Sequence, residues 1–176
     1  MFFGKSSASF LIGPFTRDGV AAALVTALLD QALKLWLLYS FELGKLGRVV
    51  ILPFFDLVLV WNRGVSYGWL SQDTDLGVWM LLGFKVVVVL VLWGWLSTAA
   101  NRLTAVSLGL IIGGAIGNGI DRLLHGAVVD FALLHITTVS FAFNWYVFNL
   151  ADVAIVAGVA GLLYETFLGG RAAKAP

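Results

Sequence analysis

The chain has 176 residues, of which 60% are hydrophobic and only 12% charged, and its mean hydropathy is +0.96. A water-soluble domain needs far more polar surface, so lipid must be the solvent for most of this one. The net charge of +1 offers no basic field for nucleic acid, and the absence of cysteine excludes disulfides, a thiolate nucleophile and any cysteine-ligated metal.

In chain order, four apolar runs are long enough to cross roughly 30 Å of hydrocarbon as helices. They lie at approximately Gly19–Tyr39, Leu76–Leu96, Leu103–Leu123 and Trp145–Leu168. The first follows Lys5 and Arg17, keeps Asp30 and Lys34 inside it and lacks a small-residue cleavage pattern, so it reads as a retained span. With Arg102, Arg171 and Lys174 placed in the cytoplasm, both termini lie inside, although Lys45, Arg48, Arg63 and Arg122 on the other side make that bias modest. Seven tryptophans suit interfacial belts.

The first outward segment, about Phe41–Asp75, holds β-formers at Phe54–Trp61, turn residues at Asn62-Arg63-Gly64 and a resumed apolar stretch at Val65–Leu70. This predicts a small β-hairpin on the membrane surface, within an outer β region of about residues 45–72. Gly126–Asn144 carries no clean periodicity. The expected architecture is one membrane-embedded, all-α domain over 1–176, with four spans and this single hairpin or cradle between the first two.

Ionisable residues inside a span cost roughly 2.5–3.5 kcal/mol each on insertion scales, so each needs a reason. Asp30 and Lys34 are spaced i,i+4 on the first span, and Asn118 and Arg122 likewise near the outer end of the third. Asp130 follows that span; Asn149 and Asp152 open the fourth. With both termini inside, the last three clusters converge on the outer face. Two facing carboxylates there form a hydrolytic device: one takes a proton from water while the other, protonated, polarises the scissile carbonyl.

Each member also has a bland reading. Asn149-x-x-Asp152 suits a helix capping box, and Asn118 with Arg122 suits a helix end among headgroups. Asp130 alone suits a solvated loop, Asp30–Lys34 a structural ion pair, and Asn62-x-Gly64 an ordinary turn. His125 and His135 read as surface or interfacial residues, Ser66 as a polar group beside the turn. The conjunction on one face carries the functional reading.

The series Asp30-x-x-x-Lys34, Asn62-x-Gly64-Val65-Ser66-Tyr67, Gly113-Gly114-Ala115-Ile116-Gly117-Asn118-Gly119-Ile120-Asp121-Arg122, Val128-Val129-Asp130-Phe131 and Phe148-Asn149-Leu150-Ala151-Asp152-Val153-Ala154-Ile155 resembles bacterial lipoprotein signal peptidase (signal peptidase II). The third and fifth stretches are long and specific, and the resemblance spans nearly the whole chain outside the two tails. It implies an aspartyl endopeptidase of the bacterial inner membrane that cuts prolipoproteins before a diacylglyceryl-modified cysteine. The implied catalytic pair is Asp130 and Asp152. The implied polar surround is Asp30, Lys34, Asn62, Gly64, Asn118, Arg122 and Asn149.

The resemblance further implies no metal or organic cofactor, membrane lipids and modified prolipoproteins as partners, inhibition by globomycin-type compounds, and a monomer. Tyr67 stands where the family more usually has Phe. Rival readings fare worse. A GxGD-type protease would put aspartate directly after Gly117-Asn118-Gly119, where Ile120 stands. A Ser/Lys peptidase would need an outer catalytic domain. A proton-coupled transporter or assembly factor would relay through Asp30, Lys34 and Asp152, with charges spread through the bilayer. Lys85 fits no family motif. On a rise of about 1.5 Å per residue it falls near the depth of Asp30, so it either pairs with Asp30 or snorkels into a wet crevice.

Overall fold

The computed structural model describes residues 11–64 and 75–169. Its first helix, α1, spans Thr16–Leu35 and ends in a widened π turn, Trp36–Ser40, closed by the Phe41 N–H on the Trp36 carbonyl at 2.9 Å. A single helical turn, α2 (Leu43–Leu46), leads into β1 (Val49–Leu52) and β2 (Phe55–Asn62). Three long helices follow: α3 (Asp75–Ser97), α4 (Arg102–His125) and, beyond strands β3 (Val128–Thr137) and β4 (Ala142–Asn144), α5 (Leu150–Tyr164) with a π turn to Gly169. The helices containing α1, α4 and α5 are long and apolar enough to cross a membrane.

Helix starts follow from local chemistry. Asn101 caps α4 by accepting from the Thr104 N–H at 2.8 Å, and its amide nitrogen reaches Glu165 at the far end of α5. Gly126 ends α4 in the left-handed region at φ +69°, which a side chain would resist.

α4 is the hub. Gly19 lies against Gly109, Ala23 against Gly113 and Asp30 against Gly117, so α1 and α4 run parallel. Ala151 lies against Gly114 and Gly158 against Ser107, so α5 runs the other way. α3 is antiparallel to α1, since Leu96 near its end meets Gly19. Hydrocarbon gives no hydrophobic reward for helix association, so close backbone approach and dispersion must hold these contacts. The adjacent glycines of α4 face different partners. A Cβ on Gly113 would stand 2.5 Å from the Ala23 carbonyl, and one on Gly114 2.5 Å from the Ala151 carbonyl.

The sheet sits at the end of the bundle where α1 and α4 finish and α5 begins. Its four antiparallel strands run in the order β1-β2-β3-β4. The described hairpin turns at Pro53-Phe54 between β1 and β2. One expectation is corrected. The segment after α4, read as irregular, supplies two strands, and Val60 pairs with Asp130 across β2 and β3. The missed strand lacks alternation because Ala127–Leu133 is buried throughout. The expected Val65–Leu70 stretch, with Ser66 and Tyr67, lies outside the described residues, as do Lys5, Arg171 and Lys174. α5 begins at Leu150, five residues later than the apolar run suggests, because Trp145–Phe148 approaches β3 instead.

Replacing Gly113 by Leu should therefore force α1 from α4 and lower unfolding stability in detergent by about 1–3 kcal/mol. Gly83, with open space around it, serves as the control for the same change. Equal losses at the two positions would refute the close-packing account.

Candidate active site

The site is built on a buried cation. Lys34, 1% exposed, reaches across from α1 and places its ammonium 2.8 Å from Asp30 Oδ2, 2.7 Å from Asp121 Oδ2 and 3.1 Å from Asn118 Oδ1. An ammonium has three N–H groups, so every one finds an acceptor. Each carboxylate then ties down a further element. Asp30 Oδ1 accepts from the Ala151 N–H at 2.9 Å, satisfying a free donor at the start of α5 where the helix dipole favours an anion. Asp121 Oδ2 accepts from the Val129 N–H at 3.0 Å, pinning the start of β3. Gln31 closes the cluster, donating to Asp121 Oδ1 at 2.8 Å and to the Gly117 carbonyl at 3.1 Å.

Above this cluster the two aspartates are joined through asparagines. Asn149 opens α5 as its N-cap. Its side-chain oxygen accepts from the Asp152 N–H at 3.0 Å, and Asp152 Oδ2 accepts from the Asn149 N–H at 3.2 Å, completing a capping box. The Asn149 amide nitrogen is thereby left to donate to Asp130 Oδ1 at 2.6 Å and Asn118 Oδ1 at 3.0 Å. Asn118 in turn donates to Asp152 Oδ1 at 2.8 Å. Asn62 donates to Asp130 Oδ2 at 2.9 Å, while its oxygen accepts from the Gly64 N–H at 3.0 Å. Gly64 sits at φ +120°, a conformation open to glycine, so it positions Asn62.

Local structure explains the meeting. Phe148 exchanges backbone hydrogen bonds with Ala132, 2.8 Å and 3.0 Å, which lays the approach to α5 beside β3 and brings Asn149 next to Asp130. Asp130 is 2% exposed, whereas Asp152 is half-buried. Burial pushes the Asp130 carboxyl above its ordinary range; hydrogen bonds from Asn62 and Asn149 pull it back, and the Asp152 charge pushes it further up.

Asp30, Lys34, Asn62, Gly64, Asn118, Asp130, Asn149 and Asp152 thus form one connected network. Arg122 lies at its edge, donating to the Asn118 carbonyl at 3.3 Å. Asp130 is a buried strand residue, not a solvated loop residue. The sequence reading assigned no role to Gln31 or Asp121, yet both belong to the ion cluster. Asp121 shares a helix face with Asn118 at i,i+3, and that spacing was the available signal. Lys85 does not pair with Asp30, whose carboxylate is occupied by Lys34, Gln31 and Ala151. It lines a crevice of about 230 Å³ between α3 and α4 instead.

The cradle holds a second charged group. Asp56, fully buried, meets Arg48 and lies 3.2 Å from His135 Nε2. Burial pulls its carboxyl upward, and the neighbouring Arg48 and His135 together outweigh this, leaving it below the ordinary range. His135 is therefore an inward-facing partner of Asp56, not a surface residue. His125 packs edge-on against Trp61 at 5.4 Å.

The profile of the signal peptidase (SPase) II family matches residues 22–168. The chain belongs to that family. It is 58% identical over 160 residues to a lipoprotein signal peptidase of Rhodopseudomonas palustris, covering 91% of this chain and 98% of that one. A lipoprotein signal peptidase of Nitrobacter hamburgensis is 54% identical over the same shares. A bacterial membrane enzyme solved by the in meso method at 2.3 Å is similar with a TM-score of 0.69 and 26% identity, over 87% of this chain and 92% of that one. A second, solved at 1.9 Å, has a TM-score of 0.72 at 22% identity over 90% and 97%, and shares the fold. The protein is accordingly a membrane-embedded protease of the lipoprotein signal peptidase family, and its buried charges, Asp30, Lys34, Asp56, Asp121 and Asp130, gather at the sheet end of the bundle where a transporter relay would spread them.

Lys34→Met should leave two buried carboxylates facing each other without their cation. The expected cost is about 3–5 kcal/mol, read as detergent-phase unfolding. A loss under about 1 kcal/mol would mean that the three contacts to Lys34 do not hold the bundle together.

Proposed function

We propose that this peptidase is an aspartyl endopeptidase that removes the signal peptide from prolipoproteins, cutting before the diacylglyceryl-modified cysteine, with Asp130 and Asp152 as its catalytic pair. The observation that carries this reading is the bridging of both carboxylates by one asparagine, Asn149, whose side-chain and backbone nitrogens donate to one aspartate each. Asp130, buried and pushed upward, holds the shared proton and polarises the scissile carbonyl. Asp152, half-buried at the first turn of α5, takes the proton from water. Asn62, Asn118 and Asn149 orient the pair; Asp30 and Lys34 support them, and Gly64 sets Asn62. Arg122, whose buried Nε has no partner among the described residues, supplies donors to a substrate carbonyl.

The 23 residues of α3 rise about 34 Å, which supports a fourth span. Alternation of direction among α1, α3, α4 and α5 supports an arrangement with both termini in the cytoplasm and the sheet and aspartates at the outer face of the inner membrane. One copy carries the whole network, so the working unit is a monomer forming a single peptidase domain. Its partners are modified prolipoproteins and membrane lipids, with globomycin-type compounds as inhibitors and no metal or organic cofactor.

Asp130→Asn and Asp152→Asn should each abolish cleavage of a diacylglyceryl-modified lipobox peptide, and the double variant should be little worse than either. Substantial activity in either single variant would end the assignment. The pH profile of the wild type should be bell-shaped, with apparent values belonging to the pair. Asn62 donates to ionised Asp130, so Asn62→Ala should move the alkaline limb to higher pH; a shift the other way would contradict the protonation order.

Cysteine scanning tests the orientation. Val139→Cys, in the fully exposed tip between β3 and β4, should react with an impermeant maleimide in intact cells, and Ala100→Cys should not. The reverse pattern would put the aspartates in the cytoplasm and remove the proposed substrate with them.

A further inference from the structure

The end of the bundle away from the aspartates carries an uncompensated cation. Arg17, in the first turn of α1, is exposed, and its guanidinium donates to no acceptor among the described residues. The adjacent Asp18 does not neutralise it. Successive helical residues point about 100° apart, and Asp18 turns to α4, where it meets Arg102 Nε at 3.1 Å. Below Arg17 a groove of about 420 Å³ opens between α1 and α3, walled by Thr16, Val20, Ala21, Leu24 and, from α3, Trp93. Arg17, Val20, Ala21 and Leu24 fall at i, i+3, i+4 and i+7, on one face of α1, and Leu28, 68% exposed, continues that face. Thr16 Oγ1 accepts from the Gly13 N–H at 2.8 Å, which leaves its own hydroxyl proton to donate beside Arg17.

The surroundings decide the occupant. The apolar span begins at Thr16, so Arg17 stands where hydrocarbon gives way to headgroups, and the exposed stripe below it faces lipid. From Arg17 to Leu28 the helix rises about 16 Å, close to half of the roughly 30 Å of hydrocarbon, which is the depth of one leaflet. A soluble anion would use the charge and leave the apolar wall uncovered. A neutral lipid would cover the wall and leave the charge unpaired. We propose that this groove binds an anionic phospholipid, its phosphate on the Arg17 guanidinium and one acyl chain along Val20, Ala21 and Leu24. Phosphate matches the paired N–H donors of a guanidinium. A zwitterionic headgroup brings its own cation to the same place and gains less, so the site selects for net negative charge. It lies at the opposite end of the bundle from the aspartate pair and does not depend on the peptidase reading.

The test uses full-length protein in detergent micelles holding equal amounts of phosphatidylglycerol and phosphatidylcholine, with retained lipid counted by native mass spectrometry. The wild type should retain phosphatidylglycerol about fivefold over phosphatidylcholine, the advantage expected of one cation near the membrane surface. Arg17→Gln should bring the ratio close to one, and Arg17→Lys should keep part of it, since the charge stays while the fork is lost. Arg63→Gln, which removes an exposed arginine at the sheet end, should leave the ratio unchanged. Ala21→Trp fills the groove and spares the charge, so it should displace the retained phosphatidylglycerol. A wild type without preference overturns the proposal, whether bulk lipid or residues 1–10 cover the groove. So does a preference that survives Arg17→Gln, falls equally in Arg63→Gln, or withstands Ala21→Trp. No cleavage is measured, so each of these outcomes leaves the peptidase reading where it stands.

Discussion

The three hydrogen bonds of the Lys34 ammonium are the constraint on which the rest of the structure depends. A cation taken out of water carries a desolvation cost of several kcal/mol, repaid only with good geometry and complete hydrogen bonding. Here the partners come from both α1 and α4, and each also holds something else. Asp30 fastens the start of α5, Asp121 fastens the start of β3, and Asn118 presents its amide nitrogen to Asp152. Two spans, the strand bearing Asp130 and the helix bearing Asp152 are therefore located relative to one buried atom.

The same cation removes an ambiguity from the proposed catalytic pair. An asparagine amide can turn over and exchange its donor for its acceptor. Lys34 can only donate, so the Asn118 oxygen must face it and the Asn118 nitrogen must face Asp152. Asn149 is fixed in the same way by the backbone N–H of Asp152, and Asn62 by that of Gly64. Every amide at the site thus aims N–H groups at carboxylate oxygens before substrate arrives. Such preorganisation spares the reaction a reorientation of dipoles as charge develops.

The ion cluster needs helices close enough for a side chain on α1 to reach α4, and the glycines of α4 provide that closeness. Gly113 and Gly117 admit α1, and Gly114 admits α5. At Gly117 the packing and polar demands coincide: a Cβ there would stand 2.6 Å from Asp30 Oδ2, in the position the carboxylate needs to meet Lys34. Small residues in these helices set the distance at which the buried charges can satisfy one another.

The sequence by itself determined the solvent, the long helices and most members of the polar network. Hydropathy and run length are local properties, and charges inside apolar runs stand out because lipid makes each one costly. The capping box at Asn149 and Asp152 was legible too, since it spans three residues. Tertiary structure decided the rest. The first half of β3, Val128–Leu133, carries no alternating pattern because both its faces are buried, so only its pairing with β2 and Phe148 reveals Asp130 as a strand residue beside Asn149. Gln31 and Asp121 gained their roles from a parallel contact between helices 86 to 90 residues apart in sequence. Lys85 shares a depth with Asp30 but faces another side of the bundle, because helix rotation follows from packing against α4, and position along the chain carries no record of it.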